Sequence, residues 1–294
     1  MTESKQDIWA QWLLHRRFGG DSERMKSVLT NFLYPMRDRV LNHASLGDGE
    51  TLLDVGCGDG LIAFGALEKV KTCKVIFSDI SQDLLDHAQP IARKMTVMDR
   101  GDFLCASADD LTPVRDGSID VVITRSVLIY VPAKQRAFNE FFRVLKPGGR
   151  LSIFEPINRF GWPEPPQLFS GFNVTPIMEI AAKVKALYHG LQPPDADPML
   201  DFDERDLVAF AEKAGFKEIH LELQVEIKPR AETTGWDAFI HIAPNPKVPN
   251  LEEAMSQSLA PDETERFTAH LRPLVDSRQG TSRSALAYLW AVKN

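Results

Sequence analysis

Between residues 46 and 156 the chain alternates between two hydrophobic periodicities, and this alternation restricts the fold more than any other feature. Apolar runs of strand length fall at 51–55, 75–79, 102–105, 119–124 and 150–155. Between them, helical spacing appears near 60–69, 82–95 and 133–145, the last closed by Lys146-Pro147-Gly148-Gly149. Strands that alternate with helices are joined by crossovers, so they lie parallel with helices on both faces. Ligands of such sheets bind at the carboxyl ends of the strands.

On either side of this region the pattern changes. Residues 5–17 predict a helix with Ile8, Trp9, Trp12 and Leu13 on one stripe, ended by Gly19-Gly20. Asp21 is placed to cap a second helix over 22–43. Residues 156–200 are rich in proline and aromatics around one helix at 176–190. "DERDLVAFAEKAGF" is again helical, 219–227 alternates as a strand, 231–283 is irregular and helical, and 285–292 supplies a final strand. Two alternating strands after five apolar ones predict an antiparallel pair at one sheet edge. The expected fold is α/β: a Rossmann-like, seven-stranded, mostly parallel sheet with helices on both faces and helical caps. The expected organisation is an N-terminal cap over 1–45 and a main domain over 46–294, with cap insertions at about 156–205 and 231–283.

The first strand runs into "TLLDVGCGDG", residues 51–60. Gly56, Gly58 and Gly60 are spaced GxGxG, and Leu61 stands where a dinucleotide fingerprint needs its third glycine. Asp54 and Asp59 bracket the loop. A pyrophosphate would sit at the helix amino terminus that follows, where backbone N–H groups favour anions. Two carboxylates there repel phosphate and attract a cation, although Asp59 can also be read as a helix cap. Asp79 ends the second strand, where an acid accepts hydrogen bonds from ribose hydroxyls. A ribose ligand with a cationic tail and no phosphate describes S-adenosylmethionine.

Other chemistries find less support. A net charge of −7 and a pI near 5.6 oppose a general nucleic-acid or anionic-membrane surface. No stretch reaches the ~18 apolar residues of a membrane span, and the first twenty residues show no signal pattern. Cys57, Cys73 and Cys105 lack pair spacing, which predicts reduced, buried thiols and a cytoplasmic location. The seven histidines show no metal-ligand spacing, so no metal is expected. A GxSxG elbow is absent.

Taken together, "LLDVGCGDG", "VIFSDIS", "ASADDL", "DGSIDVVITRSVLIYV" and "RVLKPGGRLSIFEP" resemble, in order and spacing, the class I S-adenosylmethionine-dependent methyltransferases. The likeness is strongest to the small-molecule group related to ubiquinone and menaquinone methyltransferases, and it covers about residues 46–156. It implies that Gly56, Gly58 and the Asp54–Asp59 region line the methionine end, that Asp79 holds the ribose, and that Ile80 packs on adenine. In "ASADDL" it implies that Ser107, Ala108 and Asp109 meet the adenine edge, with Ser107 replacing the acid usual in the family. Arg125 falls beside the methionine moiety.

Methyl transfer requires a base only when the acceptor carries a proton. Tyr130, after the fourth strand, Glu155, at the end of the fifth, and His15, on the first helix, are the candidates by position. A packing aromatic, a structural hydrogen-bond partner and a surface histidine are their respective structural readings. Arg16 and Arg17 are placed to reach the methionine carboxylate or to end a solvated helix. Trp9, Trp12, Trp162 and Trp236 fall in the cap segments and suit a flat, partly apolar acceptor, whereas Trp290 is expected in the core. The expected activity is methyl transfer to oxygen, nitrogen or carbon of a small molecule. A nicotinamide-dependent oxidoreductase and a non-catalytic S-adenosylmethionine-binding protein are the alternatives.

Overall fold

The computed structural model describes residues 7–230 and 235–294. Positions 5 and 6 of the first predicted helix, and 231–234 of the second cap insertion, lie outside the described residues.

The chain enters through α1 (Ile8–Gln11), which Asp7 caps by accepting the N–H groups of Trp9 and Ala10, each at 2.9 Å. This helix continues without a break as a wider π-helical run over Trp12–Arg16. The second predicted helix has the same character: α2 (Ser22–Val28) passes through a π-helical run at Leu29–Leu33 into α3 (Tyr34–Ala44). Asp21 caps it through the N–H of Arg24 at 2.9 Å.

The alternating region then follows as β1 (Thr51–Val55), α4 (Leu61–Lys69), β2 (Lys74–Asp79), α5 (Gln82–Lys94), β3 (Gly101–Cys105), β4 (Ile119–Arg125), α6 (Lys134–Val144) and β5 (Leu145–Pro156). The Lys-Pro-Gly-Gly stretch ends α6 but is already part of β5, whose pairing with β4 shifts register between Ile119 and Val121. The next elements are a hairpin of β6 (Leu168–Phe169) and β7 (Phe172–Asn173), α7 (Met178–Leu191), α8 (Glu204–Ala214) and β8 (Lys217–Pro229). The chain closes with α9 (Trp236–His241), α10 (Leu251–Ser258), α11 (Pro261–Asp276) and β9 (Thr281–Val292).

The seven-stranded sheet has the order β3-β2-β1-β4-β5-β9-β8. The first five strands pair in parallel, and β9 runs antiparallel to both β5 and β8. Strand periodicity of two divides the core. Leu53, Val55, Val122, Leu151 and Ile153 pack with Phe138, Phe141 and Leu207 on the α6–α8 face. Leu52, Val75, Phe77, Val121 and Ile123 pack with Val40, Ile62, Leu67 and Leu85 on the α3–α5 face. Chain crossovers leave β1 flanked by β2 and β4, so the loops after these three strands meet at one edge.

A third core lies outside the sheet. Phe169, Phe172, Ile180 and Val184 from one excursion pack against Trp236, Met255, Phe267 and Leu271 from the other. Trp290, expected in the core, is only half-buried: it stacks between the rings of His43 and His220, at 3.9 and 5.0 Å between centroids. Its position along β9 turns it to the same face as Tyr288, toward α3. Of the three thiols, Cys57 and Cys73 are buried, but Cys105 is exposed because β3 is the edge strand.

Candidate functional site

The glycine loop leaves β1 in a tight turn. Gly56 has φ +68°, and a Cβ built there would lie 2.2 Å from Cγ2 of Val127. Gly58 has φ +56°, and a Cβ there would meet Leu13 of the first helix at 3.0 Å. Both the backbone conformation and the close approach therefore require glycine.

Asp79 fixes the loop to the end of β2. One of its carboxylate oxygens accepts the Gly58 N–H at 2.8 Å and the other accepts the Ser81 N–H at 2.9 Å. Burial raises its pKa against these two bonds. Each oxygen keeps a further acceptor site, so neighbouring hydroxyls can still be held. Asp54 is fully buried behind the loop and accepts the N–H of Ala63 in α4 at 3.0 Å. Burial pushes it up to about 7.

Asp59 differs from both. It is not a helix cap, since Gly60 occupies that position with no side-chain bond. Its Oδ1 is buried with no hydrogen-bond partner among the described residues. A buried carboxylate oxygen left bare is costly and marks a place for a donor or cation. The Arg17 guanidinium shares this environment: burial and nearby Arg125 lower its pKa to about 10, while Asp59 and Tyr130 raise it. Arg125, half-buried at the end of β4, also bears on Asp54, Tyr130 and Glu155.

The first helix lies over this arrangement. Asp7 Oδ2 accepts the Ser81 hydroxyl at 2.6 Å and the Asp7 N–H reaches Asp83 at 2.7 Å, tying the helix to β2 and α5. Trp9 meets Tyr130 edge to face at 4.9 Å. Trp12 Nε1 donates to the Ala243 carbonyl at 2.9 Å, and Arg16 pairs with Glu253 on α10. Arg17 is thus turned inward, and Arg16 and His15 are not: His15 is exposed on the outer side. His15, a candidate base by position, is an exposed residue of the π-helical turn.

The turn after β4 is built by Glu155. Its Oε1 accepts the N–H groups of Val127 and Leu128 at 2.8 and 2.9 Å, and Oε2 that of Ile129 at 3.4 Å. Burial pushes it up to about 7. With zero exposure and three backbone donors, Glu155 shapes this turn, in keeping with its reading as a structural hydrogen-bond partner. Tyr130 sits at the end of that turn, and burial, then Glu155, raise the pKa of its hydroxyl.

At the adenine-edge position, the Ser107 hydroxyl donates to Asp109, Ala108 is buried, and Ile80 is half exposed at the end of β2. Asp7, Leu13, Ser81 and Val127 were absent from the candidates. Asp7 and Ser81 carry cap signals, each a polar residue just before a helix; Leu13 and Val127 give no local sign, because their contacts span the fold.

Beside the loop, beyond the end of β5, lies a cavity of about 550 Å³. It is bounded by Ile157, Leu200, Phe239, Tyr188 and the first half of β9, and no residue of the glycine loop lines it. Asp197 joins the two regions, lining the cavity and acting on the Tyr130 hydroxyl.

Comparison with known proteins agrees with this geometry. Residues 53–153 match a family model described as a methyltransferase domain. Arsenite methyltransferase of Halobacterium salinarum is 30% identical over 200 residues, covering 66% of this chain and 44% of that protein. The ubiquinone/menaquinone biosynthesis C-methyltransferase of Cereibacter sphaeroides is 29% identical over 188 residues, covering 61% and 71%. Haemonchus contortus phosphoethanolamine N-methyltransferase 2, solved in complex with S-adenosyl-L-methionine, superposes with a TM-score of 0.52 at 17% identity. That superposition covers 97% of this chain and 56% of the other. The chain spans about half the length of the first curated relatives it matches. Residues 53–153, which span β1 to β5, are thus similar to a methyltransferase domain. The bare Asp59 oxygen, the glycine cradle and Asp79 have the chemistry to hold S-adenosylmethionine.

Proposed function

We propose that this protein transfers the methyl group of S-adenosylmethionine to a small-molecule acceptor, partly aromatic or apolar, held in the cavity beyond the end of β5. The observation that carries this reading is the buried, unpartnered Asp59 oxygen within a glycine loop tied to Asp79. An α-ammonium satisfies that oxygen, whereas a pyrophosphate would meet Asp54 and Asp59 as two repulsive charges, which disfavours a nicotinamide cofactor. The sulfonium supplies an activated methyl carbon, and the remaining task is positioning, worth ~7–11 kcal/mol.

In this reading Asp79 holds the ribose. Ile80, Ser107, Ala108 and Asp109 bound the adenine, while Gly56, Gly58 and Asp54 shape the methionine end. Arg17 and Arg125 offer charge to the methionine carboxylate. Tyr130 keeps its proton, since its pKa is raised, and so acts as a hydrogen-bond donor orienting the acceptor. Glu155 positions the turn that carries it. The 1–45, 156–205 and 231–283 segments act as caps. Three free cysteines support a reducing, cytosolic setting.

Incubating the protein with methyl-labelled cofactor and a broad metabolite extract tests the reading. Label should move into a small-molecule fraction. Sustained failure across extracts, with cofactor binding intact, would sink methyl transfer and leave a binding protein.

A further inference from the structure

We propose that the acceptor carries an anionic group, a carboxylate, sulfonate or phosphate on an apolar body, and that Lys185 receives it in the cavity. The functional reading above is needed only for naming the ligand an acceptor. The cavity's volume, about 550 Å³, is that of sites for drug-sized molecules. Phe169, Tyr188, Met199, Leu200 and Phe239 give it apolar and aromatic wall.

Lys185 is the unusual member of this wall. It projects from α7 with 9% of its surface exposed, and its Nζ donates to the carbonyls of Pro165 at 2.9 Å and Pro166 at 3.3 Å. An ammonium has three donors, so one remains. Among the described residues no carboxylate lies within 4.0 Å of it. The other buried lysine, Lys134, shows what is missing. Lys134 is 3% exposed, also donates to two carbonyls, and is neutralised by Asp201 at 2.5 Å. A buried charge with hydrogen bonds but no counter-ion is costly, and a bound anion supplies that counter-ion.

Neither acid that lines the cavity is in contact with the ammonium, although the Glu164 charge raises the Lys185 pKa from a distance. Glu164 commits one oxygen to the Ser170 N–H at 2.7 Å and the other to the Gly171 N–H at 2.6 Å. Asp197 is held by the Met199 N–H and the Gln192 amide, each at 2.7 Å. Three arginines line the same cavity, Arg24, Arg230 and Arg283, the last seated over the Phe160 ring at 5.5 Å. Burial lowers the pKa of Lys185, and an anion beside it would restore its charge. This positive lining occurs in a chain of net charge −7, so it is not a general property of the surface.

The test uses two fluorescent probes of similar shape, anilinonaphthalene sulfonate and uncharged phenyl-naphthylamine, titrated into the full chain. The wild-type protein should prefer the sulfonate by about tenfold or more, the scale of a charge-assisted contact. Lys185→Met should remove most of that preference while leaving the neutral probe within about twofold, and Lys185→Arg should keep it. Ser284→Trp, which narrows the cavity, should weaken both. Lys185→Met should also be no less thermally stable than the wild type, since it removes an unbalanced buried charge. Equal affinity for the two probes, an unaltered preference in Lys185→Met, or binding of both that survives Ser284→Trp would overturn the proposal. So would equal loss of both probes in Lys185→Met, which would make the lysine a brace for residues 165–166. Calorimetry with S-adenosylhomocysteine on the same samples separates the readings. If the wild type fails to bind it, the methyltransferase function fails, whereas a lost probe preference with intact cofactor binding removes only the anionic acceptor.

Discussion

Glu155 Oε1 accepts the backbone N–H of Val127 at 2.8 Å, joining the end of β5 to the turn that follows β4. The same Val127 presses its side chain against Gly56, where a Cβ would lie 2.2 Å away. One buried acid therefore sets the position of both the Tyr130 turn and the wall of the glycine loop. The pKa of Glu155 and that of Asp54 stand at about 7, although both groups are carboxylic acids.

A pH dependence of stability follows. Both acids have folded pKa values, about 7, above the ~4 of an unfolded chain. Between these values the folded protein holds more protons than the unfolded one, so stability is greatest at the acid end of the window and falls as pH rises through about 7. Glu155→Gln cannot ionise and should flatten this fall, whereas Glu155→Ala should cost about 1–3 kcal/mol by leaving buried N–H groups bare. Thermal melts across the window check both; a wild-type melting temperature that rises toward neutrality would contradict the assignment.

Gly56→Ala should destabilise the protein by about 2–4 kcal/mol, through a left-handed backbone and a steric overlap. Adding Val127→Ala removes the overlap but not the backbone strain, so the double variant should recover part of the loss. Denaturant midpoints of the two single variants and the double variant measure the coupling. Simple additivity would mean that the two residues do not touch.

The sheet could be read from the sequence because its strands are either apolar runs, such as β1 at Thr51–Val55, or alternating ones, such as β8. The loop acids could be read because charge at a helix amino terminus has a local meaning. The cavity could not. Tyr188, Met199, Phe239 and Arg283 reach it from four separate stretches, and no periodicity relates them. Glu155 looked like a ligand group because it ends a strand at the binding edge. Its burial depends on residues 127–129 folding back onto it, which sequence spacing does not encode. Arg17 and His15 are two positions apart, and their different burial is set by tertiary packing that spacing does not encode.

Asp79→Ala should weaken S-adenosylhomocysteine binding by one to two orders of magnitude, about the loss of a charge-assisted contact together with the brace on Gly58. Asp79→Asn should retain part of the affinity, since its carbonyl can still accept one of the two N–H bonds. Calorimetry on both variants checks this, and unchanged affinity in Asp79→Ala would move the ribose elsewhere.

Arg17 separates the two ends of the cofactor. Its guanidinium lies in the electrostatic field of Asp59, Arg125 and Tyr130, and burial lowers its pKa to about 10. It therefore remains charged at neutral pH and can meet a carboxylate without first taking up a proton. Arg17→Met keeps the packing under Trp12 and Phe18 and removes that charge. It should weaken S-adenosylhomocysteine by about tenfold, while methylthioadenosine, which has the adenosine but no amino-acid tail, should bind within about twofold of the wild type. Equal weakening of both ligands would show that Arg17 only holds the first helix in place. A loss confined to the ligand with the tail would place the methionine carboxylate beside Arg17, in the field of Asp59.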